Sequence, residues 1–222
     1  MIIERGKLYA VITGDIIGSS RLAENARLEL HRAMVAGADA LHKAFDNAVP
    51  MDVDIFRGDS WQLLVTIPSQ ALRVGLFYRA YLRARMAADT RLAIAVGTVD
   101  FIPGERVSGG DGQAYRSSGV GLEKLLKLSR FRMIFAENTN LKDSQALNVV
   151  VQLVDALAMN WTAKQAQAML GILQGWTQET IAGAWWGKPI SQQAVAQHLD
   201  RAGWHAIEQA LVFFEDRLPN VV

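Results

Sequence analysis

Up to about residue 140, short hydrophobic runs alternate with longer amphipathic segments. Runs of apolar and β-branched residues bounded by Gly or Pro predict five strands. They cover residues 8–13, 53–56, 61–67, 92–101 and 132–136. Between them, helical spacing such as that of Leu30, Met34 and Leu41 predicts three helices. The order β-α-β-β-α-β, then α-β, predicts a ferredoxin-like α+β fold with a mainly antiparallel sheet and helices packed on one face.

Beyond residue 140 the hydrophobic pattern is helical throughout, and the charge balance changes sign. Residues 151–222 carry four Lys or Arg against six Asp or Glu, whereas the whole chain has a formal net charge of +1. We therefore predict two domains, 1–140 and 141–222.

Three short helices of the second part have a hydroxyl residue at the predicted N-cap. These caps are Thr162, Thr177 and Ser191. Two short helices joined by a tight turn, with Ala182 and Val195 facing inward, are typical of a helix-turn-helix. We place this motif at about residues 162–202, inside an all-α domain.

The helix that follows Ser191 is the predicted DNA-contacting element. With Val195 inward, Gln193 and Gln197 point outward at about 100° per residue, and Gln can hydrogen-bond to adenine in the major groove. The candidate DNA-binding residues are Ser191, Gln192, Gln193 and Gln197. The net negative charge of this part opposes binding to phosphates, so a packing or dimerisation module remains the alternative.

Asp15 and Asp59 are the first candidates for chemistry. Asp15 ends the first strand and Asp59 lies in the reversal at 57–60. In a ferredoxin-like sheet these two positions share one edge, and two carboxylates there suit Mg²⁺ or Mn²⁺ with phosphate and water as further ligands. A helix start at Gly18-Ser19-Ser20 would offer backbone N–H groups to the phosphates of a nucleoside triphosphate. The alternative is an ordinary Gly-Asp turn beside a Ser-Ser helix cap.

The segments around these aspartates resemble known metal motifs. Residues 14–22, GDIIGSSRL, are similar to the first metal motif of class III nucleotidyl cyclases, and residues 56–61, FRGDSW, resemble the second. Together with the glycine-rich loop at 108–112 and the C-terminal helix-turn-helix, they give the chain a closer resemblance to the SatD family of small bacterial proteins. That resemblance spans nearly the whole chain and implies a nucleotidyl cyclase-like first domain.

The cyclase resemblance also implies roles for individual residues. Asp15 and Asp59 would bind divalent ions, and Ile16 would contribute its carbonyl oxygen. The candidate nucleotide- or phosphate-binding residues beside them are Gly18, Ser19, Ser20 and Gly58. Because class III cyclase sites lie between two subunits, the resemblance implies a homodimer.

Three positions depart from the cyclase pattern. Cyclases typically have a Lys four residues before the second Asp, where this chain has Ile55, and an Asn and an Arg at the places of Arg116 and Val120. We therefore predict nucleotide binding rather than turnover. An active cyclase with relocated groups, such as Arg116, and a DNA-binding or dimerisation scaffold with a relic cyclase fold remain the alternatives.

Two further features have plainer interpretations. The helix after Pro68 carries an arginine series, Arg73, Arg79, Arg83 and Arg85. It predicts a solvated face, with a patch for an anionic partner as the alternative. The loop at 108–112 lacks the Lys-Ser/Thr ending of a P-loop, so we expect a flexible connection rather than a phosphate loop.

Composition narrows the possible functions. The chain has no cysteine, which excludes disulfides, zinc–thiolate sites, iron–sulfur clusters and cysteine nucleophiles. No uncharged apolar stretch reaches 18 residues, and charges come too early for a signal peptide, so we predict no membrane partner and a cytoplasmic location. The predicted function is a SatD-like transcriptional regulator that couples metal and nucleotide binding to DNA binding.

Overall fold

One five-stranded sheet organises the first part of the chain. The computed structural model describes residues 2–86, 88–104, 106–125, 129–135 and 141–218. The strands are β1 (Leu8–Ile16), β2 (Asp54–Phe56), β3 (Ser60–Val65), β4 (Thr90–Thr98) and β5 (Phe131–Phe135). Their order is β2-β3-β1-β4-β5, and all neighbours are antiparallel except β4 and β5, which are parallel. This order confirms the predicted mainly antiparallel sheet, with the first four strands in the ferredoxin-like arrangement.

Helices cover both faces of the sheet, so the prediction of a single covered face is wrong. The helices of this part are α1 (Glu24–Ala44), α2 (Ala71–Met86) and α3 (Gln113–Glu123). Successive strand residues point to opposite faces, and Ile12 and Thr13 mark the two faces of β1. Ile12 belongs to the core cluster formed with α1 and α2 and lies near Gly75 of α2. Thr13 instead shares a 2.8 Å hydrogen bond with Ser118 of α3.

The second covered face follows from the sequence of β4. Its large residues, such as Ile94, face α2, while Ala93 and Ala95 point the other way and are also fully buried. A Cβ added at Gly121 of α3 would come within 3.1 Å of the Ala93 methyl and 2.0 Å of Ile134. These small residues let α3 pack closely, and a pattern of large hydrophobic residues does not indicate such a face.

The segment Gly18-Ser19-Ser20 does not open α1, contrary to the prediction. Ser19–Arg21 form one 3₁₀ turn, after which Leu22 returns to extended backbone. α1 begins at Glu24, and its N-cap, Ala23, has no side chain that can cap it. The Ser19 hydroxyl instead donates a hydrogen bond to the Asp59 carboxylate, so it contributes to the rim of the sheet rather than to a helix end.

Five helices form the second part of the chain within its described residues, 141–218. They are α4 (Leu141–Ala158), α5 (Ala163–Leu173), α6 (Gln178–Gly183), α7 (Gln192–Arg201) and α8 (Trp204–Arg217). The side chains of Thr162, Thr177 and Ser191 accept hydrogen bonds from backbone N–H groups at 3.3, 3.1 and 3.2 Å. The three predicted N-caps are therefore confirmed.

The connection between α6 and α7 is longer than predicted. It spans residues 184–191, whereas a helix-turn-helix typically has a turn of about three or four residues. Gly187, at φ 88°, bends this connector, and the Ile190 N–H then donates to the Ala182 carbonyl at 3.2 Å. Ala182 and Val195 are buried as predicted. The prediction of a tight turn is therefore wrong, and the helix-turn-helix assignment stays a prediction.

The two parts of the chain share one hydrophobic core. A single cluster of buried side chains includes Ile12 of β1, Leu76 of α2, Leu170 of α5 and Phe214 of α8. The predicted domain boundary at residue 140 lies outside the described residues, so the division into two domains stays a prediction. Within the described ranges, no helix is long and apolar enough to cross a bilayer.

Arginines of α2 lie in the junction between the two parts, so the predicted solvated face is wrong. Arg79 is 0% exposed and donates hydrogen bonds of 2.7 Å to Asp89 and to Asp155 of α4. Arg73 reaches Glu215 of α8 at 2.7 Å. Because α2 is enclosed by the sheet and the C-terminal helices, its buried arginine needs carboxylates in place of water.

Candidate functional site

The end of β1 and the β2–β3 hairpin form one rim of the sheet. Asp15 lies opposite Ser60 in the β1–β3 register, and the Ile16 N–H donates to the Asp59 carbonyl at 3.1 Å. The two predicted metal-binding aspartates therefore lie at the same rim. The Ile16 side chain is buried in the core, so only its backbone is available to a ligand.

The hairpin conformation depends on Gly58. Three residues, 57–59, separate the paired residues Phe56 and Ser60. Arg57 and Gly58 both adopt positive φ, at 53° and 85°. The left-handed region costs a residue with a Cβ about 1–2 kcal/mol, and glycine avoids this cost. No heavy atom lies within 4 Å of a Cβ added at Gly58, so the backbone beside Asp59 is open.

Asp15 is engaged by an arginine that the sequence analysis did not consider. Arg91 lies opposite it on β4 and donates from Nε to one carboxylate oxygen at 2.9 Å and from Nη2 to the other. The hydrogen bond to Asp15 raises the pKa of Arg91 above its usual value. Thr90 also donates to the Asp15 carbonyl at 2.7 Å. Asp15 is therefore fixed by β4 rather than free.

Asp59 has a different environment at the same rim. Its carboxylate accepts hydrogen bonds from the hydroxyls of Ser19 and, at 3.5 Å, Ser60. Among the described residues, no Lys, Arg or His forms an ion pair with it, whereas Asp15 has Arg91. Within the part of the chain that the structure describes, the side-chain groups that hydrogen-bond to the Asp59 carboxylate are therefore hydroxyls.

A cavity of about 580 Å³ lies between the hairpin and α1, and Asp59 lines it. Ligand pockets commonly have volumes of about 300–1,000 Å³. Its basic side chains are Arg27, His31 and Arg57, and Glu24 is the only other acid in its lining. This wall suits a polar, anionic ligand.

The predicted phosphate-binding residues are only partly brought together. Ser19, Ser20 and Gly58 line this cavity, whereas Gly18 does not. Gly18 adopts φ 75° before the 3₁₀ turn, so its contribution is to the chain reversal. Because α1 starts at Glu24, the predicted helix N-terminus at these residues is wrong.

A metal at this rim would rest on few protein ligands. Within the described ranges, no group of three or more His, Asp or Glu side chains could hold a metal ion. Mg²⁺ commonly binds through one or two carboxylates and takes its remaining oxygens from water and phosphate. Asp59 fits this chemistry as it stands, and Asp15 fits it once Arg91 releases the carboxylate.

The three positions that depart from the cyclase pattern have different surroundings. Arg116 pairs with Asp111 at 2.6 Å and lines a pocket with Thr98, at the far end of β4 from Arg91. Ile55 packs against the core, and Val120 is exposed. Arg116 therefore does not lie at the rim that carries Asp15 in the same chain, and a relocated role for it stays a prediction.

The candidate DNA-binding residues lie on one exposed side of α7. Gln192, Gln193 and Gln197 are exposed, while Val195 is buried. Ser191 is occupied as the N-cap and accepts a hydrogen bond from the Ala194 N–H at 3.2 Å. The predicted outward orientation of the glutamines is confirmed, and their contact with DNA stays a prediction.

Comparison with known proteins finds a weak structural similarity and no sequence match. A crystal structure of the guanylyl cyclase Cya2 matches with a TM-score of 0.45 and 14% sequence identity, over 60% of this chain and 77% of that chain. No family model and no curated protein matches the sequence. Membership of the SatD family therefore stays a prediction, and the roles of the rim residues rest on their own contacts.

Proposed function

We propose that this chain is a cytoplasmic regulatory protein that binds a divalent cation, Mg²⁺ or Mn²⁺, and a nucleoside triphosphate at the rim of the sheet. The observation that supports this best is the cavity beside Asp59. The Asp59 carboxylate, which has no ion-pair partner among the described residues, lines a cavity whose wall carries Arg27 and Arg57. The cation would bind Asp59, and the phosphates would lie against the arginines and Ser20.

Asp15 and the Ile16 carbonyl would complete the metal site. This requires Arg91 to leave the Asp15 carboxylate, and the side chain of Arg91 is 40% exposed, so water can solvate it after release. A divalent cation would then replace the guanidinium charge at Asp15. When bound, the cation would neutralise and orient the phosphate oxygens.

We propose binding rather than catalysis, because the positions that cyclases use for the base and the transition state differ here. Ile55 carries no charge, and Arg116 is paired with Asp111 at the other end of the sheet. An active nucleotidyl cyclase, with groups supplied by the second copy of a homodimer, is the alternative. Incubation with nucleoside triphosphates and Mn²⁺, followed by mass spectrometry, should show no cyclic product. A metal-dependent cyclic nucleotide would favour the alternative.

Calorimetric titration of Mn²⁺ and a non-hydrolysable nucleoside triphosphate tests the site. We expect Asp59→Asn to weaken Mn²⁺ binding about tenfold or more, because it removes the charge that hard cations prefer. Asp15→Ala should weaken binding less, since Arg91 already occupies that carboxylate. Asp52→Asn, a change at an exposed residue outside the cavity, is the matched control. Equal heats of Mn²⁺ binding by the wild type and Asp59→Asn would contradict the proposed metal site.

We also propose that α7 contacts DNA, so that metal and nucleotide binding in the first part of the chain is coupled to DNA binding by the second part. The exposed side of α7 with Gln193 and Gln197 supports this. A gel shift of mixed duplex DNA should weaken as salt rises and should be lost in Gln193→Ala/Gln197→Ala. No shift at low salt would favour the alternative, a packing or dimerisation module, which light scattering would detect.

A further inference from the structure

A second cavity lies between helices α1 and α2 on one side and the C-terminal helices on the other. Its volume is about 290 Å³, and it shares no lining residue with the cavity beside Asp59. Phe77 and Tyr81 of α2 line one side. Three tryptophans from the ends of α5 and α6 line the other: Trp176, Trp185 and Trp186.

Ring contacts fix these aromatic walls. Tyr81 and Trp186 meet edge to face with centroids 5.9 Å apart, and the Arg85 guanidinium lies 3.8 Å from the centroid of the Trp186 ring. Trp185 stacks on His198 of α7 at 5.5 Å with an interplanar angle of 11°. Because such contacts set ring orientation, the cavity offers flat apolar walls before any ligand enters.

The polar groups at this cavity favour an anion. Among the described residues, no acidic side chain lines it, while Lys43 does and forms no ion pair. Gln167 also lines it, and its amide has no hydrogen-bonding partner among the described residues. Arg85 does not line the cavity, but it lies over the Trp186 ring and adds a second positive charge nearby.

We propose that this cavity binds a small planar aromatic carboxylate. One or two fused rings would lie against Tyr81 and the tryptophans, and the carboxylate would accept hydrogen bonds from Lys43 and the Gln167 amide. The volume, at the lower end of the common range of about 300–1,000 Å³, limits the ligand to that size. A charge-assisted hydrogen bond to Lys43 would distinguish the carboxylate from its neutral amide.

Occupancy of the cavity would also act on the α6–α7 connection. Ile181 of α6 and Ala184, Trp185 and Trp186 of the connector all line the cavity, and Trp185 contacts α7 through His198. A ligand held against these residues would restrain the connector, so its backbone amides should exchange more slowly when the cavity is filled.

Calorimetric titration of the full chain with 2-naphthoate and 2-naphthamide tests the chemistry. We expect saturable binding of 2-naphthoate with one site per chain. Lys43→Gln should weaken 2-naphthoate about three- to tenfold, the loss of one charged hydrogen bond at an exposed position, and leave 2-naphthamide unchanged. Lys124→Gln, at an exposed lysine outside the cavity, should change neither. Equal weakening of both probes by Lys43→Gln would overturn the proposed carboxylate contact.

Variants that fill the cavity with a larger side chain test whether the ligand binds there. Ala40→Leu should fill the cavity from α1 and abolish binding, and Ala184→Phe should do so from the connector, where the exposed position tolerates a large residue. Circular dichroism and urea midpoints establish that each variant folds. Hydrogen exchange of residues 184–190 should slow with 2-naphthoate in the wild type and not in a folded blocking variant. No saturable binding, or unchanged binding in both folded variants, would overturn the proposal, which does not depend on metal or nucleotide binding.

Discussion

Two arginine–aspartate contacts lie close together in the chain but differ in their surroundings. The Arg79 side chain is 0% exposed and bridges Asp89 and Asp155. The Arg91 side chain is 40% exposed and holds Asp15 at the rim. Only one residue separates Asp89 from Arg91 in the sequence, so a buried junction and a candidate binding site share the start of β4.

Burial decides what each contact can do. Burial lowers the pKa of Arg79, but Asp89 and Asp155 raise it more, so the guanidinium remains charged. A buried charge must keep its partners, because removal of one partner leaves the other without compensation. At the rim, the Asp15 hydrogen bond is the largest influence on the pKa of Arg91, and water can replace that bond. We therefore expect the first contact to be structural and the second to be exchangeable.

The largest effect should come from Arg79→Met, which removes the buried charge and keeps much of the volume. Asp155 would then lie buried without its cation, while Asp89, 13% exposed, would keep Arg83 at 3.2 Å, and we expect a loss of about 3–5 kcal/mol in the free energy of unfolding. Urea denaturation measures it. Arg73→Met is the matched control, because Arg73 is partly exposed and its ion pair with Glu215 should contribute at most about 1 kcal/mol. Equal losses from both variants would contradict the role of burial.

Double-mutant cycles should separate the two contacts next. We expect a coupling energy above about 1 kcal/mol for Arg79→Met with Asp89→Asn, since contacting residues in one network couple by about 0.5–3 kcal/mol. The cycle of Arg91→Gln with Asp15→Asn should give less than about 1 kcal/mol, as is usual for exposed pairs. Urea denaturation of all six variants and the wild type provides both numbers. A larger coupling at the rim would show that Asp15 is not exchangeable.

The local features of this fold follow from the sequence, because they depend on neighbours along the chain. Thr162 and Ser191 cap their helices as predicted, since a hydroxyl before a helical stripe needs only the next three residues. The hairpin at 57–59 and the strand order follow from turn residues and the order of elements.

The contacts that decide function depend on tertiary packing and were not predictable in the same way. Predicting that Arg91 faces Asp15 requires the register of β1 with β4. Predicting that Arg79 is buried requires knowing that Asp155 of α4 lies within hydrogen-bonding distance of it. The sequence does carry one signal that was missed, because an arginine at 79 within an otherwise apolar helix surface needs an acidic partner.

A smaller effect, on binding rather than folding, is expected from Arg91→Gln. Release of Asp15 should raise Mn²⁺ affinity about threefold or more, while the free energy of unfolding falls by less than about 1 kcal/mol. Arg132→Gln, an exposed arginine of β5, controls for the change in net charge. If the Mn²⁺ affinity of Arg91→Gln equals that of the control, Asp15 is not a metal ligand, and Asp59 is the remaining candidate carboxylate ligand.

The smallest effect should come from a third pair, in which Asp54 of β2 contacts Arg106 and Ser108. Burial raises the pKa of Asp54, but the hydrogen bonds from Arg106 and Ser108 outweigh it, so the pKa lies below its usual value. A depressed pKa stabilises the fold above the unfolded value of about 3.9, and this contribution is lost as pH falls through the folded value.

Because the Arg106 side chain is 70% exposed, the contribution of this pair should be small. We expect Asp54→Asn to be slightly less stable than the wild type at about pH 6 and to lose less stability on acidification to about pH 3. Urea midpoints across this pH range measure the difference, with Asp52→Asn as the control at a neighbouring exposed aspartate. If the wild type and Asp54→Asn lose stability equally on acidification, the contact between Arg106 and Asp54 adds nothing to stability, because the arginine is solvated even though the Asp54 side chain is 8% exposed. Exposure of the arginine would then decide what an Arg–Asp pair contributes, as the contrast between Arg79 and Arg91 also indicates.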